Sequence, residues 1–287
     1  MRIASWTWGG RDHVGTLSPC GREVTPLAVP DASRGALGLI ESLALGERLP
    51  CASGARLPAE VVSLRAPLPR PRRSLFCAGR NYRAHAAELA TTVFRDSLPK
   101  EDLWPIVFAK LGECVVGPFD AVRLPGAVSA QIDYESELAV VIGRGGRDIP
   151  RSRAMEHVFG YTIVNDVTAR DLQVRHMQWD LGKSLDTFCP MGPCIVSADE
   201  LDGRDTRVRG WVNGEPRQDA QTRDLIFDIP TLIETCSRGL TLYPGDVIAT
   251  GSPAGVGMGF DPPRWLRAGD VVRIEIDGIG AIENRFQ

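Results

Sequence analysis

The chain has 287 residues, of which 43% are hydrophobic and 24% charged, with a formal net charge of −3. That length buries a substantial core, and the balance excludes a disordered or fibrous chain. No apolar run approaches the roughly 18 residues of a membrane span, and the small negative charge provides no field to gather nucleic acid or anionic lipid, which leaves a small molecule as the expected partner.

The first ten residues lack the long apolar core of a secretory signal and read as a short first strand, so the expected location is the cytoplasm. Residues 1–64 read as a small N-terminal α/β domain with a turn-rich middle and an amphipathic helix over 36–45. Next comes a connector over 65–73, Arg65-Ala66-Pro67-Leu68-Pro69-Arg70-Pro71-Arg72-Arg73, whose alternating prolines forbid a helix and favour an extended chain. Its basic residues fit a solvated linker better than an anion patch, given the negative charge of the whole.

From 74 to 287 the pattern is one of short β-rich runs punctuated by Gly and Pro, at 74–79, 106–110, 137–142, 161–164, 194–197, 208–212, 246–250 and 271–276. Helices are expected over 82–89 and 229–238, the second opened by Pro230 and ended by Gly239, with a partly helical stretch over 168–179. Many strands with few helices predict an α+β fold, a β-rich mixed roll or barrel, rather than a doubly wound parallel sheet. The cysteines, Cys20, Cys51, Cys77, Cys114, Cys189, Cys194 and Cys236, are odd in number and lack CxxC or zinc-type spacing, which points to reduced thiols.

Three carboxylates stand in apolar, strand-like surroundings: Glu135 and Glu137 ahead of Leu138-Ala139-Val140-Val141-Ile142, and Asp166 after Tyr161-Thr162-Ile163-Val164-Asn165. Positions i and i+2 share one face of a strand, and buried carboxylates require a partner or a cation. An all-oxygen set suits Mg²⁺, Mn²⁺ or Ca²⁺ rather than zinc. The D-x-E-x-E spacing is not an EF-hand loop, because the sixth-position glycine is missing and a strand follows. A solvated strand face with alternating acids remains the alternative. His85 and Glu88 lie one helical turn apart, where a carboxylate orients an imidazole for proton transfer, although a surface ion pair has the same spacing. Lys183, between Gly182 and Ser184, is placed to present an ammonium to an enolate or carboxylate. Arg170 and Gln173 share a helical face that suits a substrate carboxylate or carbonyl. The turn Thr250-Gly251-Ser252-Pro253-Ala254-Gly255-Val256-Gly257 lacks the Lys of a phosphate-binding loop.

In this order, Gly79-Arg80-Asn81-Tyr82 through His85 and Glu88, Asp133-Tyr134-Glu135-Ser136-Glu137-Leu138, Asn165-Asp166-Val167-Thr168-Ala169-Arg170-Asp171-Leu172-Gln173, Gly182-Lys183-Ser184-Leu185-Asp186, Pro190-Met191-Gly192-Pro193, Val212-Asn213-Gly214 and the 250–257 turn resemble the fumarylacetoacetate hydrolase family over about 74–287, in its bacterial form with a small N-terminal domain. The resemblance implies a mixed β-roll catalytic domain, a homodimer, Mg²⁺ or Mn²⁺ (with Ca²⁺ as a non-physiological occupant) held by Glu135, Glu137 and Asp166, a water-activating pair His85 and Glu88, and Lys183 beside the substrate. Tyr82, Arg170, Gln173 and Thr250 map to substrate-contacting positions, and 89–104 falls where such proteins carry a lid. Two departures stand out: Ser252 where threonine is usual, and Leu111 where proline usually follows Lys110.

The implied reaction is metal-dependent hydrolysis of a carbon–carbon bond in a 2,4-dioxo acid of the acylpyruvate or fumarylpyruvate kind, through an enolate. The same groups equally serve decarboxylation of a 2-oxo diacid or keto–enol isomerisation of a 2-hydroxydienedioate. A binding protein that keeps the metal and lacks turnover is the reading from a different class.

Overall fold

The strand Ser136–Ile142 is buried at every position because both of its faces are covered. Leu138, Val140 and Ile142 enter one apolar cluster, while Ala139 and Val141 enter another on the opposite face. Two-sided burial selects a continuous apolar run instead of an alternating one, which is the pattern of these residues. The computed structural model of the chain describes residues 1–89, 104–175 and 178–287.

This strand sits within a twelve-stranded mixed sheet. On one side it pairs antiparallel with Val158–Asn165, followed by Cys189–Ser197, Arg2–Trp8, Arg11–Leu17 and Glu23–Pro26. On the other side come Val247–Ala249, then Leu75–Gly79 in parallel, then Ile106–Lys110. A second sheet of four antiparallel strands, in the order Glu215–Gln221, Arg207–Val212, Val271–Ile276 and Gly280–Arg285, buries Val208, Ile274 and Ile282 in the cluster that holds Leu138. Helices are few and short, so the expected β-rich α+β architecture is the one that forms. Helix Ile229–Ser237 is capped by Asp228, whose Oδ1 accepts the Thr231 N–H at 2.9 Å, with Pro230 in the first turn. Among the described residues no helix is long and apolar enough to cross a membrane.

Several expectations change. The first strand continues the main sheet, with Arg2 opposite Val196 and Ile3 opposite Ile195. Ile3, Leu37 and Ile40 accordingly share an apolar cluster with Ala139 and Val141. The 65–73 segment is not a solvated linker. Ala66 and Leu68 are buried, Pro67 O accepts the Ser5 hydroxyl at 3.1 Å, and the Arg73 guanidinium pairs with the buried Asp246 at 2.5 Å. Ala66 and Leu68, on either side of Pro67, are apolar, and an extended chain lays them on the core.

The stretch 168–179 divides into a strand Thr168–Ala169 and a helix Arg170–Arg175, with a separate helix Asp180–Lys183 beyond. Strands Glu215–Gln221 and Gly280–Arg285 escape a hydrophobic pattern because they lie at the margins of their sheet, the first mostly polar and the second with only Ala281 and Ile282 as apolar side chains. The proposed lid over 89–104 lies, across 90–103, outside the described residues.

Trp6 is fully buried in the cluster that contains Leu138. Trp6→Ala is expected to cost about 3–5 kcal/mol and to lower the unfolding of the whole sheet together, read by denaturant titration with circular dichroism. A second, unshifted transition would contradict a continuous sheet.

Candidate active site

Strand register brings the three acids together. Ser136 pairs with Asn165, and the Asp166 N–H donates to Glu135 O at 2.9 Å, so Glu135 and Asp166 face each other with Glu137 two residues along on the same face. Ligand oxygens of all three lie within 4.8 Å of one another, and all three residues are buried. On the far side Ala139 pairs with Ala249, which carries the chain past Glu137 into Thr250 and Gly251. The Gly251 N–H donates to Glu137 Oε2 at 2.9 Å. With φ at +104° and an added Cβ only 2.7 Å from that of Asn81, this position admits glycine alone.

Three buried cations surround the acids. Lys183 Nζ bridges Glu135 Oε2 at 2.5 Å and Asp166 Oδ2 at 2.7 Å. Lys110 Nζ pairs with Asp166 Oδ1 at 2.8 Å and donates to Val167 O at 3.0 Å and to Lys183 O. Arg170 spans Glu135 Oε1 at 2.7 Å and Asp133 Oδ2 at 2.8 Å, and its Nη1 donates to Gln173 Oε1 at 3.1 Å. Asp133 also accepts the N–H groups of Gly257 at 2.7 Å and Met258 at 3.0 Å, tying the glycine-rich turn to the cluster.

The charges do not balance. Asp133, Glu135, Glu137 and Asp166 face Lys110, Arg170 and Lys183, and no ion pair among the described residues involves Glu137. Burial raises the Glu135 carboxyl, but the Lys183 ammonium and the Arg170 guanidinium overrule it and hold it below the usual carboxylate range. Burial pushes Glu137 well above that range, and the charges of Asp166 and Glu135 push it further. An all-oxygen cluster with one surplus negative charge fits a hard divalent cation, held by Glu135, Glu137 and Asp166.

His85 and Glu88 occupy the helix Arg83–Leu89, which follows Leu75–Gly79 through a turn stapled by Asn81. Asn81 Nδ2 donates to Thr250 O at 2.8 Å, and its Oδ1 accepts the Phe227 N–H at 2.8 Å. His85 Nδ1 lies 3.0 Å from Glu88 Oε2, and Glu88 Oε1 accepts the Gly255 N–H at 2.9 Å. A Cβ on Gly259 would fall 2.1 Å from Glu88 Oε1, so a side chain there would displace the carboxylate from this position. With Nδ1 held, Nε2 is the nitrogen left for proton transfer in the cavity that His85 lines.

That cavity joins His85, Glu135, Glu137, Lys183, Arg170 and Gln173. Two expected contacts are elsewhere. Thr250 is fully buried with its hydroxyl donated to Leu138 O at 2.9 Å, and the hydroxyl residue lining the cavity is Ser252. Tyr82 lines a neighbouring groove with Asp224 and Pro253. Arg170 reaches the cavity, but its guanidinium serves the protein's own carboxylates. Residues that spacing does not single out are Lys110, Asp133, Arg80, Phe108 and Trp179. A lysine closing the apolar run Ile106-Val107-Phe108-Ala109 is the one such signal visible in sequence.

In chelator-treated protein, Glu137→Gln is expected to raise stability by on the order of 2 kcal/mol, because it removes a buried carboxyl whose ionisation burial, Asp166 and Glu135 all oppose. Lys110→Met is expected to lower it by about 3 kcal/mol, because it removes one of the two buried ammonium partners of Asp166 and leaves Lys183 to serve both Asp166 and Glu135. Thermal melts that move both variants in the same direction would contradict this charge balance.

Comparison with known proteins gives the chain its family. Residues 74–287 match the sequence model described as fumarylacetoacetate (FAA) hydrolase C-terminal. The chain is 50% identical over 226 residues to the oxaloacetate tautomerase YisK of Bacillus subtilis, covering 78% of this chain and 73% of that one. It is 44% identical over 232 residues to a mitochondrial oxaloacetate tautomerase of Homo sapiens, covering 80% and 71%. Among solved structures, a fumarylacetoacetate hydrolase from the psychrophile Exiguobacterium antarcticum superposes with a TM-score of 0.86 at 40% identity, covering 100% of this chain and 99% of that one. A 2-hydroxyhepta-2,4-diene-1,7-dioate isomerase from Mycobacterium marinum gives 0.79 at 32%, covering 100% and 98%. Matched over residues 74–287, the chain belongs to the fumarylacetoacetate hydrolase family.

Proposed function

We propose that this protein is a divalent-metal-dependent tautomerase that interconverts the keto and enol forms of a small 2-oxo dicarboxylic acid. The observation that carries the reading is the His85–Glu88 pair, fixed at 3.0 Å and lining the cavity of the acid cluster and Lys183. The tautomerase activity of relatives 43–50% identical supports the choice among the reactions of this family.

A bound divalent ion supplies Lewis-acid polarisation of the 2-oxo group, which acidifies the neighbouring C3–H bond. His85 Nε2 takes the C3 proton, and the imidazolium so formed returns it to the C2 oxygen to give the enol, so the step leaves the protein's proton count unchanged. Glu88 holds the imidazole in the tautomer that leaves Nε2 able to accept, and stabilises the imidazolium that forms. The Lys183 ammonium lowers the energy of the negative charge as it develops on the substrate oxygen. Only C–H and O–H bonds change, so no water is consumed and no carbon fragment leaves.

The cluster's charge also suits an anion. Four carboxylates against three cations leave one negative charge, and a divalent ion turns that into one positive charge facing the cavity. The same His85–Glu88 pair favours a second reading, hydrolysis of a 2,4-dioxo acid, since an oriented imidazole equally deprotonates water.

Enol oxaloacetate supplied with Mg²⁺ is expected to relax to the keto form faster than the metal-only background, followed by loss of the enol's ultraviolet absorbance. His85→Ala is expected to lower kcat by about 10²–10⁴-fold. Unchanged turnover in that variant contradicts the reading, and faster release of pyruvate and a carboxylic acid from an acylpyruvate replaces it with hydrolysis.

A further inference from the structure

The strand Glu215–Gln221 leaves its residues exposed or half-buried with one exception, Gln218, which is 2% exposed. That burial is built into the hairpin. Asn213 and Gly214, both at positive φ, join Arg207–Val212 to this strand in a two-residue turn, and the register shifts so that Arg217 bulges and Gln218 stands opposite Gly210. A Cβ on Gly210 would fall 2.4 Å from Ser136 Oγ and 3.2 Å from Gln218 Oε1, so a side chain there would crowd both. An apolar residue would serve burial alone, and a buried amide is costly unless its hydrogen bonds are made.

Gln218 makes them, in one orientation. The Ser136 N–H donates to its Oε1 at 3.0 Å. A backbone N–H can only donate, so Oε1 faces Ser136 and Nε2 faces the glycine-rich turn. Nε2 donates to Ser252 Oγ and to Pro253 O, each at 2.7 Å. One amide thus ties the residue between Glu135 and Glu137 to the turn that carries Ser252.

The consequence falls on Ser252, which is 2% exposed and lines the cavity with His85 and Glu137. Its oxygen already accepts, so its proton has to be given elsewhere. Among the described residues its acceptor is Pro253 O at 3.4 Å, long for an O–H···O bond, and that carbonyl already takes the Gln218 amide. A reversed amide would draw the Ser252 proton to itself and turn lone pairs towards the cavity, which repels an anion. The observed polarity does the opposite.

We propose that Gln218 is a positioning residue that fixes the Ser252 hydroxyl as a donor to an anionic oxygen of the bound acid. The inference rests on the 2-oxo acid reading of the cavity given above.

The test is a double-mutant cycle of Gln218→Met and Ser252→Ala, read by calorimetric titration of the Mg²⁺-saturated proteins with malate, a stable 2-hydroxy dicarboxylic acid. Ser252→Ala is expected to weaken malate binding by about 10-fold, the loss of one hydrogen bond to a charged oxygen. Gln218→Met is expected to weaken it by about 5-fold with Ser252 in place and by less than about 2-fold in the Ser252→Ala background. A merely structural amide would lower the melting temperature without making its effect on malate depend on Ser252. Mn²⁺ affinity is expected to stay within about 2-fold in every variant, which also reports that each is folded. The same loss of malate affinity from Gln218→Met in both backgrounds overturns the inference. So does malate affinity indifferent to Ser252→Ala, an arm that decides the matter even if Gln218→Met does not fold. A fall in Mn²⁺ affinity matching the malate loss also overturns it, since Gln218 would then act through Ser136 on the metal ligands. Wild type that binds malate without tautomerase turnover overturns the proposed function alone, and malate binding with no coupling in the cycle overturns the role of Gln218 alone. No malate binding by wild type overturns both.

Discussion

One surplus negative charge, buried at the end of the central strands, is the constraint on which the rest of this site depends. Asp133, Glu135, Glu137 and Asp166 are each 5% exposed or less, and Lys110, Arg170 and Lys183 neutralise three of them. An isolated carboxylate in such surroundings is strongly disfavoured, so Glu137 must take up a proton or acquire a cation. The local architecture serves the second outcome. Register sets the three acids on one face, and the glycine at 251 lets a backbone N–H reach Glu137 where any side chain would collide.

Chemistry is added to this cluster from the neighbouring parallel strand. Leu75–Gly79 delivers Arg80, the Asn81 staple and the helix of His85 to the same end of the sheet as the acids. Glu88 is clasped by the glycine-rich turn, and Asp133 clasps that turn two residues further on, so base and acid cluster are braced by one loop. Groups mounted on strand ends and braced in this way hold their geometry better than groups on free loops, and a proton shuttle requires that. A site of this composition stabilises an enolate however it is generated, which is why relatives with the same fold include tautomerases, isomerases and hydrolases.

Much of this is legible in the sequence because it is local. The i, i+2 acids before an apolar run, the i, i+3 His–Glu pair and the Pro-to-Gly helix over 229–238 are short-range patterns with fixed physical causes. What escapes depends on distant partners. Arg170 reads as a substrate ligand until Asp133 and Glu135, folded onto it from another strand, claim its guanidinium. Lys110 and Asp133 acquire meaning only through contacts 56 and 124 residues away in number, to Asp166 and Gly257. The 65–73 segment reads as solvated because its prolines and arginines are conspicuous, while the alanine and leucine that bury it are not. Pairing of the first strand with Cys189–Ser197 is likewise a choice of sheet partner that no local pattern encodes.

The central claim is that Glu135, Glu137 and Asp166 form a divalent-metal site whose cation corrects the buried charge. Calorimetric titration of chelator-stripped protein with Mn²⁺ tests it most directly. The account predicts one ion per chain in the wild type, with affinity weakened by about 100-fold or more in Glu137→Gln. Equal affinity in the two proteins, or no saturable binding in the wild type, would contradict it.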